Sequence, residues 1–276
     1  MTVIAMTREM GTLGKDVAQG LADQMGLKVV HHELIEHTLA GQLGKPEHAV
    51  HRYLEGGVSL LERLQIDSEQ ISRCTAEQIL QLALEGNVVI RGWGATALLW
   101  KIPHVLCVRV CAPMAFRERV MMERLGISEE SVVRQEIERN DAAHVRTMSG
   151  LFGLDWEDPR LYHLVLNTEV MPVEACVGVV RFLAQSPTYQ ETSEARSVIA
   201  DKLLETRIRA LLTERFADKE DFVAIEVAAR NGKVMLSGRA LRSKVVDEAK
   251  QLVRTVAGVT EVDNRIAFVR TRASSV

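Results

Sequence analysis

The most constraining feature of this chain is a junction close to its N-terminus. Val3 to Met6 is a short apolar run, and the loop Thr7-Arg-Glu-Met-Gly-Thr-Leu-Gly-Lys-Asp16 follows at once. Val17, Ala18, Leu21, Ala22 and Met25 then recur at helical spacing up to Gly26. A strand, a glycine-bearing loop and a helix in this order can close backbone N–H groups around an anion, with the helix N-terminus adding its positive dipole end. Gly11, Gly14 and Lys15 stand where such a cradle needs them. Against the pattern GxxxxGK[ST], Glu9 replaces the first glycine and Asp16 the hydroxyl residue.

The rest of the first two thirds alternates in the same way. Leu27 to Val30 reads as a second strand, and Glu33 to Leu39 begins a helix. Gln70 to Leu84 is a helix, Asn87 to Ile90 a strand, and Val105 to Cys111 another. Helices follow at Met114 to Leu125 and from a capped start near Ser128 through Arg139. Tyr162 to Asn167 and Val173 to Leu183 form the last strand and helix. Short valine-rich runs bounded by turn residues suit buried parallel strands, so a three-layer α/β domain over residues 1–185 is expected.

Residues 186–197 are polar and read as a linker. Beyond them, a helix from about Val198 to Phe216 precedes Phe222 to Ala228, an Asn231-Gly232 turn and Lys233 to Ser237, a hairpin signal. A helix from Ser243 to Val256 and a strand from Val259 to Val269 complete a small αββαβ domain of the α+β class over 198–270, with 271–276 as a tail.

A formal net charge of -3 supplies no basic field for nucleic acid, so nucleic acid is not an expected partner. Cys74, Cys107, Cys111 and Cys176 form no CxxC pair and read as reduced thiols. The histidines at 31, 32, 37, 48 and 51 are irregularly spaced, and no metal centre is expected of them. Without an export signal or a spanning apolar run, the expected location is cytoplasmic and membrane contact is not expected. Arg117, Arg119 and Arg124 are interleaved with Glu118, Glu123 and Glu129 and read as a solvated face, Arg119 above all.

The stretches TREMGTLGKDVAQGLADQMGLKVVHHELI, VVIRGWGATALL, HVLCVRVCAPMAFRERVMMERLGIS, RNDAAHVR and YHLVLNTEVMPVEACV, in this order, resemble the cytidylate kinase-like proteins over about residues 1 to 184. The resemblance implies a three-layer P-loop NTPase fold with a parallel sheet. It also implies ATP phosphates on Gly11, Thr12, Leu13, Gly14, Lys15 and Asp16, magnesium with the ATP, and CMP or dCMP as acceptor. Lys15, Arg139 and Arg146 are then the expected catalytic residues, the two arginines lying in the segment that resembles a closing lid. Arg8, His31, Arg91, Trp93 and Asp141 are the expected acceptor-binding residues.

Several residues depart from the family pattern. Trp93 occupies the place of an acceptor-phosphate arginine, and Arg91, two residues earlier, would share its face on an extended backbone. His31 stands for a common aspartate, and His163 lies where Tyr-Asp is usual. Glu9 and Asp16 set negative charge beside the phosphate site, which would repel ATP unless magnesium bridges it.

VAARNGKVMLSGRA and AGVTEVDNRIAFV resemble a BON domain, which implies an unidentified ligand or protein partner and a regulatory or interaction role. The expected activity is ATP-dependent phosphoryl transfer to a nucleoside monophosphate. The alternatives are a catalytically weakened nucleotide sensor acting through the BON domain, and a scaffold in which the fold only mediates assembly. A homo-oligomer is left open.

Overall fold

The structure is a computed structural model that describes residues 1–31, 37–38, 40–41, 44–54, 68–216, 222–241 and 243–268. It divides into two compact units, Met1–Thr192 and Ser193–Val276.

The first unit is built on five parallel strands, β1 (Val3–Arg8), β2 (Lys28–His31), β3 (Val88–Arg91), β4 (Val105–Cys111) and β5 (Leu164–Asn167), in the order β2-β3-β1-β4-β5. β1 is central, with Val3 to Met6 paired to Val88 to Arg91 on one side and Val3 to Arg8 to Val105 to Val110 on the other. A strand enclosed on both edges and both faces must be apolar throughout, and Val3 to Met6 are all at most 1% exposed. The chain leaves β1 toward β2 on one side and crosses to β4 and β5 on the other. That reversal is where open α/β sheets form a crevice beyond the carboxyl ends of their strands.

The helices are α1 (Gly14–Met25), α2 (Glu47–Leu54), α3 (Ser68–Glu85), α4 (Trp93–Leu99), α5 (Met114–Leu125), α6 (Glu130–Phe152) and α7 (Val173–Ala184). α1 and α7 cover one face of the sheet: Val17, Ala18 and Leu21 meet Cys176, Val177 and Val180 over Ile4, Met6, Val108 and Val110. Full burial of side chains this size contributes roughly 1.5–3 kcal/mol each. α1 closes at Gly26, φ 65°, whose N–H returns to the Ala22 carbonyl.

Three of the boundaries that differ from expectation have a visible physical cause. The helix expected to stop at Arg139 continues to Phe152, because Ala143, Thr147 and Met148 extend its buried stripe until Gly153 ends it at φ 64°. Its N-cap is Glu129 rather than Ser128, with no side-chain cap. β5 begins at Leu164 rather than Tyr162, because Asp158 caps a turn of 3-10 helix over Pro159–Leu161. The helix start expected at Glu33 lies outside the described residues.

The second unit is a helix α8 (Ser193–Phe216), a hairpin β6 (Phe222–Arg230) and β7 (Lys233–Ala240), a helix α9 (Ser243–Arg254) and a strand β8 (Glu261–Phe268) parallel to β7. Five residues expected in the linker belong to α8, whose first turns bury Ala195 and Ile199. Leu204, Ile208, Leu212, Val227, Leu236, Val245, Ala249 and Val262 share one core. A stripe on α8 also closes the outer edge of β6: Asp201 accepts from the N–H groups of Asn231 and Gly232, Glu205 from Ala229 N–H, and Arg209 donates to the Val227 carbonyl. No helix among the described residues is long and apolar enough to cross a membrane.

Candidate functional site

The loop between β1 and α1 is fixed from every side except its open one. Glu9 N–H extends the sheet to the Val110 carbonyl at 3.1 Å. Thr12 Oγ1 donates to the Glu9 carbonyl at 2.8 Å, and Thr168 Oγ1, just beyond β5, donates to the Thr12 carbonyl at 2.6 Å. Gly11 sits at φ +81°, where a Cβ would meet the Arg117 carbonyl oxygen at 2.6 Å, so only glycine fits. Leu13 takes the left-handed conformation, φ 57°, and turns the chain into α1. The N–H groups of Gly11, Leu13, Gly14 and Lys15 have no acceptor among the described residues. Such a bend of unsatisfied donors at a helix N-terminus is an anion-binding concavity.

Beneath the loop lies an ion network that sequence reasoning missed. Glu9 points away from the open side: Oε1 accepts from Arg109 Nη2 at 2.8 Å, Oε2 from Ala112 N–H at 3.2 Å, and Arg117 Nη1 lies 3.6 Å from Oε2. The repulsion expected of Glu9 is thereby cancelled by two guanidinium groups. Arg109 also donates from Nη1 to the Trp156 carbonyl and stacks on the Trp156 ring, 4.3 Å from its centroid. Trp156 is 1% exposed, and its Nε1 donates to Thr7 Oγ1 at 2.9 Å. Tyr162 donates to the same Trp156 carbonyl at 2.7 Å, and burial pushes its phenol up.

Arg117 is buried rather than part of a solvated face, and Glu118 beside it is buried too. Arg117 Nε donates to the Met10 carbonyl at 2.7 Å, and Nη2 to both oxygens of Asp141 at 2.8 Å. Asp141, expected to bind acceptor, is paired with Arg117, which in turn holds the Met10 carbonyl of the loop. Burial, joined by the nearby Glu9 carboxylate, holds the Asp141 carboxyl pKa above the ordinary value although Arg117 pulls it down.

The other expected residues lie at separate places in the first unit. Lys15 and Asp16 are exposed in the first turn of α1, and Asp16 lies 3.3 Å from Arg124. Arg8 supports the start of α1 from below, since a Cβ on Gly14 would meet Arg8 Cβ at 2.8 Å. His31 and Arg91 come together at the ends of β2 and β3: Arg91 Nε and Nη2 donate to His31 Nδ1 at 3.1 and 2.8 Å. Arg139 and Arg146 are exposed on α6, with Glu136 3.9 Å from Arg139. At about 100° per residue they stand roughly 160° and 140° around the helix from Asp141, away from the loop. The side chain of Trp93 lies outside the described residues.

His163 has a structural place. Its Nδ1 accepts the Cys107 N–H at 3.0 Å and its own N–H returns to the Cys107 carbonyl, which prolongs the β4–β5 pairing by one step. Burial lowers its pKa. The Cys107 thiol is pushed up to about 12 by burial and stays protonated.

Strand order, crevice and loop together define a parallel α/β fold of the P-loop kinase type. The chain belongs to the cytidylate kinase-like family, which matches residues 3–170, and it carries a BON domain over residues 200–270. Similar proteins include the cytidylate kinase of Ignicoccus hospitalis, 28% identical over 188 residues, a match covering 66% of this chain and 98% of that one. The cytidylate kinase of Pyrobaculum aerophilum is 27% identical over 179 residues, covering 65% of this chain and 90% of that one. Among solved structures, an uncharacterized protein from Eubacterium ventriosum superposes with a TM-score of 0.53 at 18% identity, over 67% of this chain and 100% of the other, a likeness of fold.

Proposed function

We propose that the first unit is an ATP-dependent nucleoside monophosphate kinase that takes CMP or dCMP as acceptor, works in the cytoplasm, and is tuned or localised by the BON unit. The observation that carries this reading is the set of N–H donors at Gly11, Leu13, Gly14 and Lys15, without acceptors among the described residues, at the end of the central strand. Phosphoryl transfer asks a protein for position and positive charge rather than covalent chemistry. The cradle N–H groups hold the β-phosphate, and Lys15 sets a mobile charge against the transferring group. Arg91, aimed by His31, and Arg8 serve the acceptor.

The magnesium that accompanies ATP requires hard oxygen ligands. Asp16 offers an exposed carboxylate in the first turn of α1, and its ion pair with exposed Arg124 is readily exchanged. Asp16 would therefore hold the ion, which would supply positive charge to offset that of the phosphates.

Transfer from ATP to CMP, dCMP, UMP, AMP and GMP with magnesium present tests the reading. Turnover with a cytidine nucleotide is expected, and none with any acceptor sinks it. One observation favours a second reading, that of a sensor which binds nucleotide without transfer: Arg139 and Arg146 face away from the loop. Nucleotide affinity by calorimetry without turnover would select it.

A further inference from the structure

Arg117 joins parts of the chain that are far apart in sequence. Its Nε holds the Met10 carbonyl, its Nη1 approaches Glu9, and its Nη2 holds Asp141 in the middle of α6. Its backbone is engaged as well, because Gly11 lies against its carbonyl. The loop cannot shift without moving Arg117, and Arg117 cannot turn without releasing Asp141. Glu9 is held from the opposite side by Arg109 and by Ala112 N–H.

Stability alone does not account for the Asp141 seat. A carboxyl whose pKa rises on folding takes stability away above its ordinary range, and burial together with the Glu9 carboxylate raises this one despite the arginine beside it. Ionisable groups kept at such a cost concentrate at functional sites. The position of Glu9 points the same way. Where the usual pattern has a glycine that lets the loop fold on itself, this chain has a carboxylate tethered from outside.

We propose that Asp141 is a positioning residue for the phosphate loop: through Arg117 it fixes the Met10–Gly11 segment in the shape that takes a polyphosphate. The order of the loop then depends on the docking of α6. The donor cradle is formed when α6 lies against α5, and it loosens when α6 lifts. The inference rests on reading the loop as a phosphate cradle, and it gives α6 a task that Arg139 and Arg146 do not perform.

The test is Asp141→Asn in the full chain, read first by amide hydrogen exchange without nucleotide. Exchange at Glu9, Asp16 and Val17, whose N–H groups are bonded to the Val110 and Leu13 carbonyls, is expected to speed up about tenfold or more while β1 and β4 keep their protection. With MgATP as probe, the calorimetric Kd is expected to weaken about tenfold, and in turnover the loss falls on KM for ATP rather than on kcat. Arg117→Lys, which loses the planar fork, reproduces the effect, and adding Asp141→Asn to it changes little further. Unaltered exchange at Glu9, Asp16 and Val17 in folded Asp141→Asn overturns the proposal. If the wild-type chain takes no MgATP, the kinase reading fails, whereas the exchange measurement still decides the tether.

Discussion

Glu9 and Arg109 stand 100 positions apart in the chain and meet inside the first unit, Nη2 to Oε1 at 2.8 Å. The pair anchors the first residue of the loop to the middle of β4, and Arg109 passes the anchorage on to Trp156. A carboxylate that reads as hostile to phosphate is, in the fold, a counter-charge for buried arginines.

Removing it should therefore damage the fold before it improves binding. Glu9→Ala leaves Arg109 and Arg117 buried with one carboxylate fewer, a loss of about 3 kcal/mol. All three tryptophans, Trp93, Trp100 and Trp156, lie in the first unit, so their fluorescence during urea unfolding reports that unit by itself. A variant as stable as the wild type, or a tighter binder of ATP, would contradict the anchoring role.

Two glycines with similar backbone angles should respond differently. At Gly11, φ +81°, an added Cβ meets Arg117 backbone at 2.6 Å, whereas at Gly26, φ +65°, it meets nothing within 4 Å. Gly26→Ala is expected to cost about 1 kcal/mol through its backbone alone, with nucleotide affinity unchanged. Gly11→Ala should cost about 1–3 kcal/mol and abolish binding of ATP, since the loop must deform. Calorimetry and fluorescence on the two variants check the contrast.

Much of this architecture was legible in the sequence, and the parts that were not share a cause. Periodicity located β4 and α5 at the bounds the structure has, and the Asn231-Gly232 pair located the hairpin, because these are local signals. Local patterns say which residue types recur but not what they meet. Arg117 and Glu118 therefore read as a charged face although both are buried, their partners lying at Glu9, Asp141 and Arg134. Trp156 gave no signal as the cover of Arg109, because that contact exists only after α6 and the segment behind it have folded over the sheet. The carboxylate at a glycine position was the one available hint of a counter-charge.

His163 makes the first unit sensitive to acid. Its pKa is depressed by burial in the fold, and its ordinary value is about 6.5. The unfolded chain thus takes up the proton first as pH falls, so the contribution to stability is complete above about 6.5 and is lost below it, down to the folded value. The fluorescence-detected urea midpoint should drop as pH falls below about 6.5, and His163→Gln should flatten that slope. An equally steep slope in the variant would place the sensitivity elsewhere.

The second unit should be separable from the first by a single carboxylate. Asp201 accepts from Asn231 N–H at 2.7 Å and Gly232 N–H at 3.0 Å, and these residues hold the turn at φ +53° and +77°. Asp201→Ala strands two donors and should cost about 1–2 kcal/mol. The cost should appear in far-ultraviolet circular dichroism and leave the tryptophan transition unmoved, because the second unit contains no tryptophan. A shift of the tryptophan transition would mean that the units unfold together.

Arg91 and His31 allow the acceptor side to be tested apart from the ATP side. They are register neighbours on β3 and β2, at the same end of the sheet as the loop, and Arg91 is only 5% exposed. His31 Nδ1 accepts from both Nε and Nη2 of the guanidinium, so the ring carries its proton on Nε2 and the arginine is held in one orientation. Under the proposed function this orientation aims Arg91 at the acceptor phosphate. His31→Leu keeps an apolar body of similar size and removes the acceptor, so Arg91 loses its direction but not its charge. KM for the nucleoside monophosphate should rise about tenfold, the worth of one hydrogen bond to a charged group, with KM for ATP within about twofold of wild type. Asp141→Asn should give the opposite split, because its influence runs to the loop through Arg117. Initial rates with each substrate varied in turn measure both. Parallel rises in the two KM values for His31→Leu would assign the pair to the fold rather than to the acceptor.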